Sequence, residues 1–150
     1  SAAKNNINVI EGDYHLLECK WQPNWFLSYS GASSRTSDDV EKVKLFISKN
    51  LEQGKKIDED MIASAALAER ALSLRQPEGL PLLVQSINLA ASCFTRWDLP
   101  PAPMNDQIEK LKALGALAVK PTGSGGGGYI LSLWPTGIAP QLPGVVFYPA

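Results

Sequence analysis

Histidine and cysteine are almost absent from the chain, which has one histidine, His15, and two cysteines, Cys19 and Cys93. The two cysteines lie far apart with no CxxC spacing, so neither a zinc site nor a disulfide framework is suggested. Each cysteine is expected to be a buried, reduced thiol that packs as a small apolar side chain. His15 alternates with apolar neighbours in "DYHLLECKW" and reads as a strand-surface or core histidine, because nothing nearby forms a recognisable catalytic dyad. An excess of charge is also lacking: 14 basic and 15 acidic residues leave a formal charge of −1. With no basic block to neutralise a run of phosphates, nucleic acid is not an expected partner. No apolar stretch approaches the roughly 20 residues that span a bilayer, and the start of the chain lacks the charged-then-apolar pattern of a signal peptide. The expected setting is therefore cytoplasmic, with no membrane partner. No internal repeat is visible.

The sequence does have enough apolar material for a core, 45% against 19% charged residues, in 150 residues. That is one domain's worth. Residues 1–7, small and polar, read as an added or frayed end, and residues 8–150 as a single domain. Apolar bursts around Glu11-Gly12-Asp13 predict a hairpin or two short strands between Asn8 and Glu18. "NWFLSYSG" (24–31) predicts a strand that ends in a loop. Val40, Val43, Ile47 and Leu51 then fall at helical spacing, with Asp38 and Glu41 as a capping box, so a helix is expected from near Asp39. "EQGKK" (52–56) reads as a turn. A second helix is expected over 57–76, with acids early and arginines late, as the helix dipole favours. Pro77 and Gly79 read as breakers before a third, mostly buried helix over 80–97, with Pro81 in its first turn. After a proline-rich connection, Asn105 or Asp106 would cap a short helix over 107–115 that stops at Gly115. "ALAVKPTG", "YILSLW" and "VVFY" (145–148) read as strands. Strands in two sets with the helices between them predict an α+β fold: a two-layer ferredoxin-like plait, an antiparallel sheet with helices on one face.

Between two of those strands lies "TGSGGGG" (122–128). Glycines allow φ > 0, and successive backbone N–H groups without Cβ atoms can form an anion-binding nest. The loop is not a phosphate loop of the GxxxxGK[ST] type, because no Lys-Ser or Lys-Thr follows the glycines. Nor does it fit a dinucleotide fingerprint, since a strand and not a helix follows it. A flexible linker is the bland alternative, but the tight apolar flanks "LAVK" and "YILSLW" favour a shaped strand-to-strand loop.

"GALAVKPTGSGGGGYILSL" resembles the third motif of the GHMP kinases: a small residue, Lys, then Thr-Gly-(Ala/Ser)-Gly-Gly-Gly-Gly. Within that family the four consecutive glycines, 125 to 128, are most similar to the mevalonate kinase branch. "YSGASSRTSDDV" is similar to a second family segment, in which a strand ends in glycine and a threonine precedes a helix; Gly31 and Thr36 keep the offset. Tyr29 stands where the family commonly has aspartate, and Asn88 resembles an asparagine on one of its helices. The resemblance covers residues 8 to 134 and matches the C-terminal domain of such kinases. The N-terminal domain's Pro-x-x-x-Gly-Leu-Gly-Ser-Ser loop, catalytic aspartate and lysine are not matched.

What the resemblance implies is an ATP-dependent small-molecule kinase, a phosphotransferase of isoprenoid precursor synthesis. Its cofactors are ATP and Mg2+, held mainly by the N-terminal kinase domain of the same polypeptide. No catalytic residue and no metal ligand is assigned to this chain, which alone is expected to be inactive. The phosphate-site loop would be Lys120, Thr122, Gly123, Ser124, Gly125, Gly126, Gly127 and Gly128. Ser33, Ser34, Arg35 and Thr36, at a strand-to-helix loop, would meet an anionic small-molecule acceptor, although Ser37 and Asp38 also read as plain caps. Lys120 has two readings, a charge beside the transferred phosphate or a solvated strand-end lysine. A homodimer is compatible with the resemblance. Two other classes stay open: a stand-alone, non-catalytic nucleotide-binding module, and a structural interaction domain if Trp21, Trp25, Trp97 or Trp134 is uncovered.

Overall fold

The structure, a computed structural model, describes residues 7–9, 16–31, 36–122 and 128–150. Strand β1 (Ile7–Val9) pairs antiparallel with β2 (Leu16–Glu18), Ile7 opposite Glu18. These are the two short strands expected there; their Glu11-Gly12-Asp13 turn and His15 lie outside the described residues. The main sheet is built from β3 (Trp25–Tyr29), β4 (Ala118–Pro121), β5 (Tyr129–Leu133) and β6 (Phe147–Pro149). Its order is β4-β5-β3-β6 and all three pairings are antiparallel. The last strand starts later than expected, because Leu142 and Val145 first bridge across a turn in which Gly144 takes φ +79°.

Among the described residues, four helices connect these strands: α1 (Thr36–Lys49), α2 (Leu51–Ser73), α3 (Gln76–Arg96) and α4 (Ala102–Ala113). Helix α1 begins three residues before the expected Asp39. Asp38 and Asp39 therefore lie inside its first turn, where carboxylates suit the dipole, and Asp38 does not act as the cap of a capping box. "EQGKK" is not a turn but part of α2, and the break between the helices falls at Asn50, φ −139°. Gly54 serves a close approach instead, since a Cβ there would stand 3.0 Å from Ile47 Cγ1 of α1. Pro77 and Gly79 likewise do not precede α3 but belong to it. Pro77 sits in the first turn, where its missing N–H has no intrahelical partner to lose. A Cβ at Gly79 would meet Ala71 O at 2.2 Å and Trp21 Nε1 at 2.8 Å, so α2, α3 and the chain at Trp21 converge where only glycine fits.

Helix α4 also starts earlier than the cap residues suggested, directly after Pro101. Its end is as expected: Gly115 takes φ +112°, its N–H donates to Lys112 O, and Ala116 N–H donates to Leu111 O. That pair of bonds is a Schellman cap.

Two apolar clusters hold the layers together. One joins Ala71, Leu72, Leu83 and Ile87 of the α2–α3 pair to Cys19, Trp21, Ala118 and Leu133. The other joins Met104, Ile108 and Leu111 of α4 to Val119, Ile130 and Trp134. Ala118 and Val119 are consecutive on a strand and point to opposite faces. Thus α4 covers one face of the sheet, and the α2–α3 pair packs beside β4 from the other. Cys19 and Cys93 are both buried free thiols. Trp21 and Trp134 are core anchors, their indole N–H groups donating to Ala71 O and Ser132 Oγ.

Candidate functional site

The two segments that the sequence singled out meet at one end of the main sheet. The β3–β5 register sets Tyr29 opposite Tyr129. One residue further on, Ser30 N–H donates to Gly128 O at 2.9 Å. Gly31 (φ +76°) turns the chain away toward α1, and Gly128 (φ +88°) delivers it into β5. Both conformations are left-handed and favour glycine. On the β4 side, Thr122 closes the glycine loop with two bonds to Tyr129 O, from its N–H at 3.1 Å and from Oγ1 at 2.8 Å. The two described ends of the loop, Thr122 and Gly128, are thus tied to the sheet.

Gly123, Ser124, Gly125, Gly126 and Gly127 of the loop lie outside the described residues, as do Ser33, Ser34 and Arg35. Thr36, five residues after Gly31, is the first residue of α1. Asp38 and Asp39 in the first turn offset the positive end of the dipole, so it draws an anionic acceptor less strongly. The Thr122 hydroxyl spends its proton on Tyr129 O and keeps only acceptor capacity toward a ligand.

Lys120 stands on β4 opposite Leu131, two residues before the loop begins at Thr122. It is half-buried rather than solvated, and burial pushes its ammonium pKa down. No carboxylate or carbonyl among the described residues takes its proton. A desolvated cation without a counter-charge is costly to hold and has a standing affinity for an anion.

Sequence reading did not find the aromatic surroundings. Tyr29, Tyr129 and Tyr148 are each about half exposed, and their rings follow one another at 5.5 Å and 6.4 Å. The register places all three on the same face as Lys120. Gln107 of α4 reaches the same end of β3, donating to Ser28 Oγ and Tyr29 O at 3.2 Å each. The three tyrosines and Gln107, with Gly31, Gly144 and Val146, line an open cavity of about 390 Å³. Only pairing across strands assembles it, and a single sequence does not display pairing. Asn88, on α3, is exposed.

Among the described residues, no group of three or more His, Cys, Asp or Glu side chains could hold a metal ion, and no helix is long and apolar enough to cross a membrane.

Neither a protein-family model nor a curated protein sequence matches the chain. Solved structures do. It is similar to the mevalonate kinase of L. major, solved in complex with R-mevalonate, at 20% identity and a TM-score of 0.68, over 87% of this chain and 40% of that one. The Lin0012 protein of Listeria innocua matches at 15% identity and 0.67, over 83% of this chain and 36% of its own. The Methanococcus jannaschii mevalonate kinase matches at 15% identity and 0.55, over 81% and 37%. This chain thus spans about two fifths of the length of the structures it matches. At these identities the likeness concerns fold, and the four-stranded antiparallel sheet with its four helices is the fold of a GHMP kinase C-terminal domain.

Proposed function

We propose that the chain is the C-terminal domain of an ATP-dependent small-molecule kinase of the mevalonate kinase type, with its glycine-loop end facing the nucleotide phosphates. The observation that carries this reading is Lys120, a half-buried ammonium with no acceptor among the described residues, at the mouth of a loop whose ends are pinned to the sheet. The fold it shares with two mevalonate kinases supports the same reading.

In the reaction, the γ-phosphorus leaves the bridging oxygen of ADP and bonds to the acceptor's hydroxyl oxygen, and the hydroxyl proton is released. Positioning and charge stabilisation do most of the work in such a transfer. ATP with Mg2+ supplies the phosphoryl group and neutralises part of its charge. This chain contributes Lys120 as a fixed positive charge, with backbone N–H groups of the glycine loop as donors to phosphate oxygens. The Ser30–Gly128 bond joins the ends of the two segments, and on this reading Ser33, Ser34, Arg35 and Thr36 would meet the acceptor. Activation of the acceptor hydroxyl falls to the N-terminal kinase domain of the same polypeptide.

ADP release by the complete gene product, given ATP, magnesium and one acceptor at a time, tests the proposal. Turnover is expected with mevalonate, and none from residues 1–150 alone. Turnover only with phosphomevalonate or a sugar would keep the kinase and replace the acceptor. A folded product that binds ATP without turning over any acceptor would point to a non-catalytic nucleotide-binding module.

A further inference from the structure

A second cavity, of about 260 Å³, lies between the later turns of α1, the start of α2 and the end of α3. Phe46 and Ile57 give it apolar walls, and Gln53, Lys56 and Arg96 give it polar ones. Phe46 is ten residues along α1 from Thr36, about 15 Å at the helical rise, so this is not the glycine-loop site.

Asp60 lies between the cations, its Oδ1 3.0 Å from Lys56 Nζ and its Oδ2 2.9 Å from Arg96 Nη1. Those two ammonium and guanidinium charges hold its carboxyl below the usual range. Arg96 is further fixed by bonds from Nε to Ser92 O and from Nη2 to Ser92 Oγ and Cys93 Sγ. Its planar fork is therefore pre-set, and four of its five N–H donors have acceptors, leaving one on Nη1. Lys56, largely exposed, uses one of three N–H donors on Asp60. Two positive charges against one negative leave a net charge of +1 at the rim of an apolar pocket.

We infer that this pocket binds a small amphiphile with an anionic head, its apolar body between Phe46 and Ile57 and its head on the free donors of Lys56 and Arg96. Size limits the ligand. At about 30 Å³ per water-sized group, 260 Å³ holds roughly nine such groups. A nucleotide is too large, whereas a six-carbon carboxylate fits.

Chemical-shift titration of the isotopically labelled 150-residue chain with hexanoate tests the site, with acetate and 1-hexanol as comparisons. Saturable shifts at Phe46, Ile57 and Arg96 are expected, with a dissociation constant of about 1 mM or tighter, which asks only ~0.5 kcal/mol per non-hydrogen atom. Acetate, lacking the body, and hexanol, lacking the charge, should each bind at least about fivefold more weakly. Two substitutions move affinity in opposite directions. Lys56→Gln should weaken hexanoate about fivefold or more, and Asp60→Asn should strengthen it by removing the competing carboxylate. Lys56 is largely exposed and Asp60 mostly covered, and retained amide dispersion will show that both variants fold. Hexyl phosphate in place of hexanoate distinguishes a phosphate from a carboxylate source, and tighter binding of either keeps the anion site. No saturation by 20 mM of either anion, equal binding of hexanol, or an unchanged affinity in Asp60→Asn would overturn the inference.

Discussion

A lysine ammonium that loses most of its water must find an anion or hold its proton less tightly, and Lys120 has no anion among the described residues. The sign of the effect is fixed by linkage. The folded pKa lies below the unfolded value of about 10.5, so between the two the unfolded chain binds more protons and stability rises with pH. At neutral pH the unfavourable burial is present in full. Lys120→Met is therefore expected to raise the melting temperature at pH 7 by a few degrees, on the scale of ~2–4 °C per kcal/mol for a chain of this size. The difference between variant and parent should shrink as pH approaches 10.5, and thermal unfolding followed by circular dichroism at pH 7 and pH 10 will show it. A residue kept at a cost to stability is the pattern expected of a binding site. The lysine and its glycine loop were legible as a pair in "VKPTGSGGGG". Its half-burial was not, because that depends on Leu131 across the β4–β5 ladder and on the sheet face it shares with the tyrosines.

Glycines account for most of the differences in element boundaries. Gly54 and Gly79 read as breaks in helical pattern, yet both are helical residues whose missing Cβ makes room for a neighbour that a single sequence does not reveal. The two are not equivalent, and alanine should separate them. At Gly79 the added Cβ would stand 2.2 Å from a backbone carbonyl, Ala71 O, which cannot swing aside. Gly79→Ala should cost about 2–4 kcal/mol, read from urea unfolding, although alanine at an open helical site gains about 1 kcal/mol over glycine. At Gly54 the neighbour is the Ile47 side chain at 3.0 Å, which can shift, so contact and propensity should nearly cancel to within about 1 kcal/mol. Gly115 is the opposite case, legible from sequence because its role is local. Its φ of +112° completes the α4 cap, and Gly115→Ala should cost about 1 kcal/mol. Proline misled in the same direction as Gly79. Pro77 and Pro103 mark first turns of helices, and reading them as connections trimmed α3 and α4 at their starts.

At the scale of the whole molecule, the antiparallel sheet with interposed helices followed from the order of periodic segments, and the kinase-like fold from the glycine motif. The tyrosine-lined cavity and the approach of helices from both faces did not, because each depends on strand register. One end of the sheet combines the described ends of the glycine loop, Thr122 and Gly128, with the Ser30–Gly128 bond and a half-buried lysine. The solved kinases of the same fold are about two and a half times as long as the share this chain matches. The central claim is that this end receives nucleotide phosphates, and the most direct test is the KM for ATP of the complete gene product with Lys120→Met, on the acceptor that turns over. Loss of a charge-assisted contact of ~1.5–3 kcal/mol predicts a KM about 10- to 100-fold higher in a variant that melts no earlier than its parent. An unchanged KM in that equally stable variant would contradict the account.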